Sequence, residues 1–163
     1  MDTSRGTTLR EQSDGVPSHL ELGRRGEELA AAYLLQAGYR IVAANLSVPV
    51  GRNRVGALIN VEMDLVAYEG ETLCFVEVKS RTSDWFAPPE ANVDRRKQRQ
   101  IARAARGYRR MFGLEGEPYR YDVVTVVMPE AVDESLAPEI ELLRNFWHEA
   151  QLRKRRWSEH FYD

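Results

Sequence analysis

One cysteine, Cys74, is all that 163 residues provide, which excludes an internal disulfide and a multi-cysteine zinc site. It has no evident base partner and reads as a small buried hydrophobe. The three histidines, His19, His148 and His160, are scattered without metal-ligand spacing and read as surface residues. There is no glycine loop for phosphates and no serine-nucleophile motif. No apolar run approaches the roughly 18 to 20 residues that a membrane span needs, and the N-terminus does not resemble a signal peptide. A soluble protein of a reducing cytoplasm, without a membrane partner, is expected. Excess charge of one sign is lacking too: the net charge is −2 and the pI near 6.0, so the molecule as a whole has no field to draw nucleic acid.

What is present suits one domain with a sizeable core. Residues 1–18 are polar and read as a disordered arm, 19–150 as the folded domain, and 151–163 as a basic tail or helix end carrying Arg153, Lys154, Arg155 and Arg156. Periodicity predicts a helix from His19 to Ala37, with Gly23, Gly26, Ala30, Tyr33, Leu34 and Ala37 on one side and Gly38 as its stop. A strand follows at Tyr39 to Ala44. Asn45 to Asn60, punctuated by Pro49, Gly51 and Gly56, reads as an irregular loop. Val61 to Tyr68 and Thr72 to Lys79 read as an antiparallel hairpin around Gly70. A helix is expected over Asn92 to Phe112, strands over Tyr121 to Met128 and Glu139 to Leu143, and a closing helix over Phe146 to Trp157.

The hairpin holds the chain's oddest feature. Glu62, Asp64, Glu77 and Lys79 stand inside runs of Val, Met, Leu, Cys and Phe, where a charge must be paired, neutralised or holding a metal. If residue numbers across the hairpin sum to 141, Asp64 faces Glu77 and Glu62 faces Lys79. Two carboxylates on adjacent strands suit magnesium or manganese, which prefer oxygen ligands, and a lysine two residues on could assist a water attacking a phosphate. Glu27, at the border of the first helix's apolar stripe, could reach the same pocket. A structural ion-pair network is the competing reading, and Glu62 is the weakest member.

Acids are wholly absent between Arg95 and Arg110, where Arg95, Arg96, Lys97, Arg99, Arg103, Arg106, Arg109 and Arg110 accumulate. The inward stripe of this helix is Ile101, Ala105, Tyr108 and Phe112, with most arginines nearly opposite and Lys97 close to the inward edge. Such a stripe could bind a phosphate backbone or simply be a solvated face. Nothing here reads base edges. Trp85, beside Pro88 and Pro89, packs under a loop or contacts substrate.

The order Asp64, twelve residues, Glu77-Val78-Lys79 resembles the PD-(D/E)xK nuclease signature, with Met63 at the proline position. More closely, the chain resembles the YraN-type family of bacterial proteins, related to archaeal Holliday-junction resolvases. The matching pieces are Gly23-x-x-Gly26-Glu27, Gly38-Tyr39, Glu62-x-Asp64-Leu65-Val66-Ala67, Phe75-Val76-Glu77-Val78-Lys79-x-Arg81, Lys97, Arg120-Tyr121-Asp122 and Ile140-Glu141-x-x-x-Asn145-Phe146. The resemblance implies an α/β, restriction-endonuclease-like fold, a mixed β-sheet flanked by helices. It implies catalytic roles for Glu27, Asp64, Glu77 and Lys79, with Asp64 and Glu77 on the metal; Arg81 and Lys97 from the matching pieces, with Arg95, Arg99, Arg103 and Arg106 of the basic stripe, are the residues expected to face nucleic acid. DNA, possibly branched, is the implied partner, and a homodimer is an expectation by analogy. The chain departs from the family at the expanded Asn45 to Asn60 segment and at Asn60-Val61, where a glycine usually precedes the acid. A metal-dependent, structure-selective endonuclease is thus the leading expectation. A catalytically inactive nucleic-acid-binding protein and a protein-interaction module compete with it.

Overall fold

The computed structural model describes residues 18–82, 93–129 and 136–152. The expected N-terminal arm (bar Ser18), Trp85 with its prolines, and the basic C-terminal run lie outside the described residues. Helix α1 (His19–Gln36) is followed by strands β1 (Arg40–Arg52), β2 (Leu58–Glu69) and β3 (Thr72–Thr82), helix α2 (Arg95–Met111), strands β4 (Tyr119–Met128) and β5 (Glu139–Trp147), and a short helix α3 (Glu149–Leu152). The strands form one mixed sheet in the order β1-β2-β3-β4-β5, parallel only between β3 and β4, where α2 makes the crossover. The α/β architecture with flanking helices is the one expected, and it is consistent with a restriction-endonuclease-like fold.

The two faces have separate cores. On one, Ile101, Ala105 and Tyr108 of α2 pack against Val61, Met63, Phe75, Tyr121 and Val123. On the other, Ala30 and Leu34 of α1 pack against Leu65, Cys74, Val76, Val78, Val124 and Val126. Alternation along β3 therefore sends Phe75 to α2 and Val76 to α1, as a strand buried on both faces requires. Phe112, expected inward, is instead the exposed C-cap of α2, because the helix ends before its side chain reaches the core. Ser18 belongs to the folded unit: its hydroxyl accepts from the Glu21 N–H and the Glu21 carboxylate accepts from the Ser18 N–H, a reciprocal cap.

The expected irregular loop over Asn45 to Asn60 is corrected by the structure. Most of it is strand: β1 and β2 stay paired out to Arg52↔Leu58, forming a long ribbon. Pro49 is accommodated because β1 is an edge strand, and Gly51, at φ 150°, sits beside a register shift. The turn is built by Asn53. Its side chain accepts from the N–H groups of Val55 and Ala57, its carbonyl accepts from Gly56, and Gly56 takes the positive φ of 83° that a three-residue hairpin loop needs.

Candidate active site

The sheet forks where the acids stand. Pairing between β2 and β3 runs from Glu69↔Thr72 to Leu65↔Val76, the expected sum of 141, and stops there. Beyond it β3 stays on β4 as far as Thr82↔Met128, while β2 leaves with β1. Asp64 and Glu77 are the first residues past the split. The alternation along β2 also breaks at this point, since Met63 packs in the α2-side core and Leu65 in the α1-side core. Asn45, between the Ala44↔Leu65 and Leu46↔Met63 pairs, answers with a φ of 49°.

Asp64 takes over a bond that the ladder has lost: its Oδ2 accepts from the Val78 N–H at 2.7 Å. Glu77 is only 3% exposed. Its Oε1 is held by two ammonium groups, Lys79 at 2.9 Å and Lys97 at 3.3 Å, while its Oε2 is buried without a partner. Such an orphan oxygen costs on the order of 1–3 kcal/mol, more when charged. Burial, and then the adjacent Glu77 carboxylate, push the Asp64 carboxyl up to about 7, against the Val78 N–H and Lys97, which favour its charged form. Two acids and two lysines thus share one partly dry fork, with Asp64 poised between its states near neutral pH.

Helix α1 brings Glu27 to the opposite side of this cluster. It can do so because α1 rests on β3 at Gly26: a Cβ there would lie 1.6 Å from Ser80 Oγ, itself buried and unpartnered. Glu27, half-buried, is close enough to oppose ionisation of Asp64, the smallest of that group's influences. Glu62 is exposed opposite Ser47 and is not brought to the fork.

The structure divides the remaining expected residues. Lys97 sits in the fork with Glu77, placed by the α2 N-cap, where Asp94 Oδ1 accepts the Lys97 N–H at 2.8 Å. The sequence signal for this was its alignment with Ile101 and Tyr108 at helical spacing. Arg95, Arg99, Arg103 and Arg106 are exposed on α2. Arg103 donates to the Val50 carbonyl at 2.9 Å, tying helix to ribbon, and Arg106 is paired with Glu149 at 2.7 Å. Arg81 is half-buried on β3 opposite Val127. Cys74 is buried, its thiol pushed up to about 12 by burial, as a packing residue should be.

The donors at the fork are hard carboxylate oxygens, and the unpartnered Glu77 Oε2 is an atom that a cation would satisfy, so Asp64 and Glu77 fit magnesium or manganese. Among the described residues no three His, Cys, Asp or Glu side chains form a ready cage, so such an ion would keep several waters.

Fold and site together define an α/β protein with a carboxylate–lysine cluster at the fork of a mixed sheet. The family model described as "Uncharacterised protein family UPF0102" matches residues 26–126, from Gly26 through the fork into β4. A UPF0102 protein of Koribacter versatilis is 40% identical over 129 residues, covering 79% of this chain and 80% of the relative. One of Chlorobaculum tepidum is 42% identical over 106 residues, 65% of this chain and 74% of the relative. One of Syntrophus aciditrophicus is 39% identical over 133 residues, covering 80% and 91%. The chain belongs to the UPF0102 family, the YraN-type family whose motifs its sequence carries. Among the described residues no helix is long and apolar enough to cross a membrane.

Proposed function

We propose that the fork is the active site of a magnesium- or manganese-dependent DNA phosphodiesterase, an endonuclease that selects structure over sequence. The observation that carries this reading is the pair of strained acids: Glu77 buried with an oxygen unpartnered, beside Asp64 held up near neutrality. A purely structural ion-pair network would have no reason to leave both features uncorrected.

A cation held by Asp64 and Glu77 would supply Lewis-acid stabilisation of charge on the phosphoryl and leaving oxygens. The chain's own residues do the rest. Asp64 keeps Oδ2 on the Val78 N–H, which fixes the direction of its other oxygen. Lys79, 30% exposed and anchored on Glu77, orients the attacking water and offsets charge as phosphorus becomes five-coordinate. Lys97 shares the Glu77 oxygen from the helix side, leaving Lys79 free to turn toward substrate. Glu27, from across the fork, would hold a second water.

The test is cleavage of linear, flapped and four-way DNA with magnesium and with manganese. Metal-dependent cleavage is expected, falling about 10²- to 10⁴-fold in Lys79→Ala and at least as far in Asp64→Ala while both variants stay folded. Salt-sensitive binding without cleavage under either metal would sink the enzyme reading. It would leave the nucleic-acid-binding one.

A further inference from the structure

Residues 47–61 form a rigid two-stranded arm rooted at the site, and its surface has a definite chemical character. From Arg40 through Val61 there is no acidic residue, and from Arg95 through Phe112 there is none on the helix that supports it. Residues 51–60 are all exposed, with Arg52 and Arg54 at the tip beside Val55, which is 85% exposed, and Leu58. The arm does not flap: Val48 is buried against α2, Gly107 of α2 approaches so closely that a Cβ would meet Val48 at 3.4 Å, and Arg103 grips the Val50 carbonyl. Its tip is fixed by Asn53 and by Arg52, whose guanidinium donates to the Gly56 carbonyl at 2.6 Å.

We infer that this ribbon, residues 47–61, is a duplex-gripping arm: it enters a groove of double-stranded DNA beside the fork, with Arg54 and Arg52 on the flanking phosphates and Val55 and Leu58 against the groove wall. The inference rests on the DNA reading of the fork and extends it to a part of the chain outside the metal chemistry. A major groove about 12 Å wide admits a two-stranded ribbon. The charge complementarity is specific to a polyanion. A second copy of this chain fits the arm poorly, because two arms meeting at their tips would bring four arginines together. Edge-to-edge pairing through β1 is hindered by Pro49 and by the register shifts at Ile41/Ala43 and Pro49/Gly51. The exposed arginines of α2 extend the basic surface: Arg103 lies against the arm at Val50, and Arg99 and Arg103 line a cavity of about 470 Å³ together with Arg106 and its partner Glu149.

The test is fluorescence anisotropy with a blunt duplex in EDTA, so that cleavage plays no part. Arg54→Ser is expected to weaken binding about threefold, and the Arg52→Ser/Arg54→Ser double about tenfold, with the slope of log K against log salt reduced by about 2, as for two lost phosphate contacts. Arg40→Ser, at the far end of the same strand pair, is expected to change neither. Val55→Ser/Leu58→Ser should weaken binding severalfold at unchanged salt slope, with thermal melting confirming that each variant folds. Wild-type binding that the double leaves intact, equal affinity for single strands, or no binding at low salt would overturn the arm. So would a dimer in light scattering that Val55→Ser/Leu58→Ser dissociates. Cleavage and binding that survive the double intact would remove the arm and keep the nuclease. Arm-dependent binding by a protein that never cleaves would keep the arm and remove the nuclease.

Discussion

Two charge clusters share strand β2, one toward the hairpin turn with partners on β4 and β5, the other at the fork with partners on β3 and α2, and they are built to opposite rules. Toward the turn, Asp122 is fully buried and fully answered: Arg120 Nε donates to both its oxygens at 2.9 and 3.1 Å, and the Asn145 N–H donates to Oδ1 at 2.8 Å. Arg120 also donates to Tyr39 at 2.7 Å and to Glu69, which Arg144 holds from the other side at 2.8 Å. Each planar guanidinium offers several fixed donors, so Arg120 alone reaches Asp122, Glu69 and Tyr39, and the cluster closes on itself. At the fork the cations are lysines, point charges on one oxygen of Glu77, and the other oxygen is unanswered. The acids respond differently. Hydrogen bonds from Arg144 lead the effects that hold Glu69 down at about 2, whereas burial lifts Asp64 to about 7. One cluster stabilises the fold; the other leaves electrostatic cost standing where chemistry would use it.

The sharpest way to break this comparison is to remove a cation from the closed cluster. Arg120→Met would leave Asp122 buried without its cation, and breaking a buried pair by removing one partner costs about 3–5 kcal/mol. Urea unfolding should show a midpoint shift of that size with little change in slope. A loss under about 1 kcal/mol would mean that the guanidinium does not hold the cluster together. Lys79→Met is expected to destabilise less, because Lys97 still answers Glu77 and the Lys79 head reaches solvent.

At the fork the expectation reverses. Asp64→Asn keeps an oxygen to accept the Val78 N–H but removes a charge that burial and Glu77 disfavour. At pH 8 this variant is expected to be more stable than wild type by about 1–3 kcal/mol, since each pKa unit corresponds to about 1.4 kcal/mol and exposure near the cluster discounts the full shift. On the proposed reading of the fork it should at the same time lose metal-dependent cleavage. A variant less stable than wild type at pH 8 would show that the ionised Asp64 supports the fold, and the contrast between the clusters would collapse.

Much of this was legible in the sequence, and the failures have physical causes. The apolar runs located β2, β3 and β4, and the Gly70 turn gave the hairpin register, which the Leu65↔Val76 pair obeys. The apolar setting of Asp64, Glu77 and Lys79 identified them as charges in need of an explanation. The ribbon was not legible, because Pro49, Gly51 and Gly56 are loop punctuation by composition, yet an edge position, a bulge and an asparagine-built turn accommodate each within paired strands. The fork was hidden for another reason. Strict alternation assumes continuous pairing, and the break at Asp64 depends on β1 pulling β2 away from β3, a tertiary effect. Lys97 was seen at the inward edge of α2, but only the packing of α2 on β3 reveals that Glu77 is what it meets.

The smallest effect separates the clusters by pH alone. The folded-state pKa of Glu69 is lowered, so its contribution to stability is present above the ordinary carboxylate range and is lost as pH falls from about 4.5 toward 2. Asp64 has a raised pKa, so its contribution is fully present below about 4 and is lost as pH rises through about 7. The two groups therefore tilt the stability curve in opposite directions over adjoining windows. Glu69→Gln is expected to flatten only the acid limb, by less than about 1 kcal/mol, because its pairs with Arg120 and Arg144 are partly open to water. Asp64→Asn should flatten only the limb between pH 4 and 7. Urea midpoints at half-unit pH steps for wild type and both variants would read the two slopes separately, and a Glu69→Gln curve that also changed above pH 5 would mean that the clusters are coupled through the sheet.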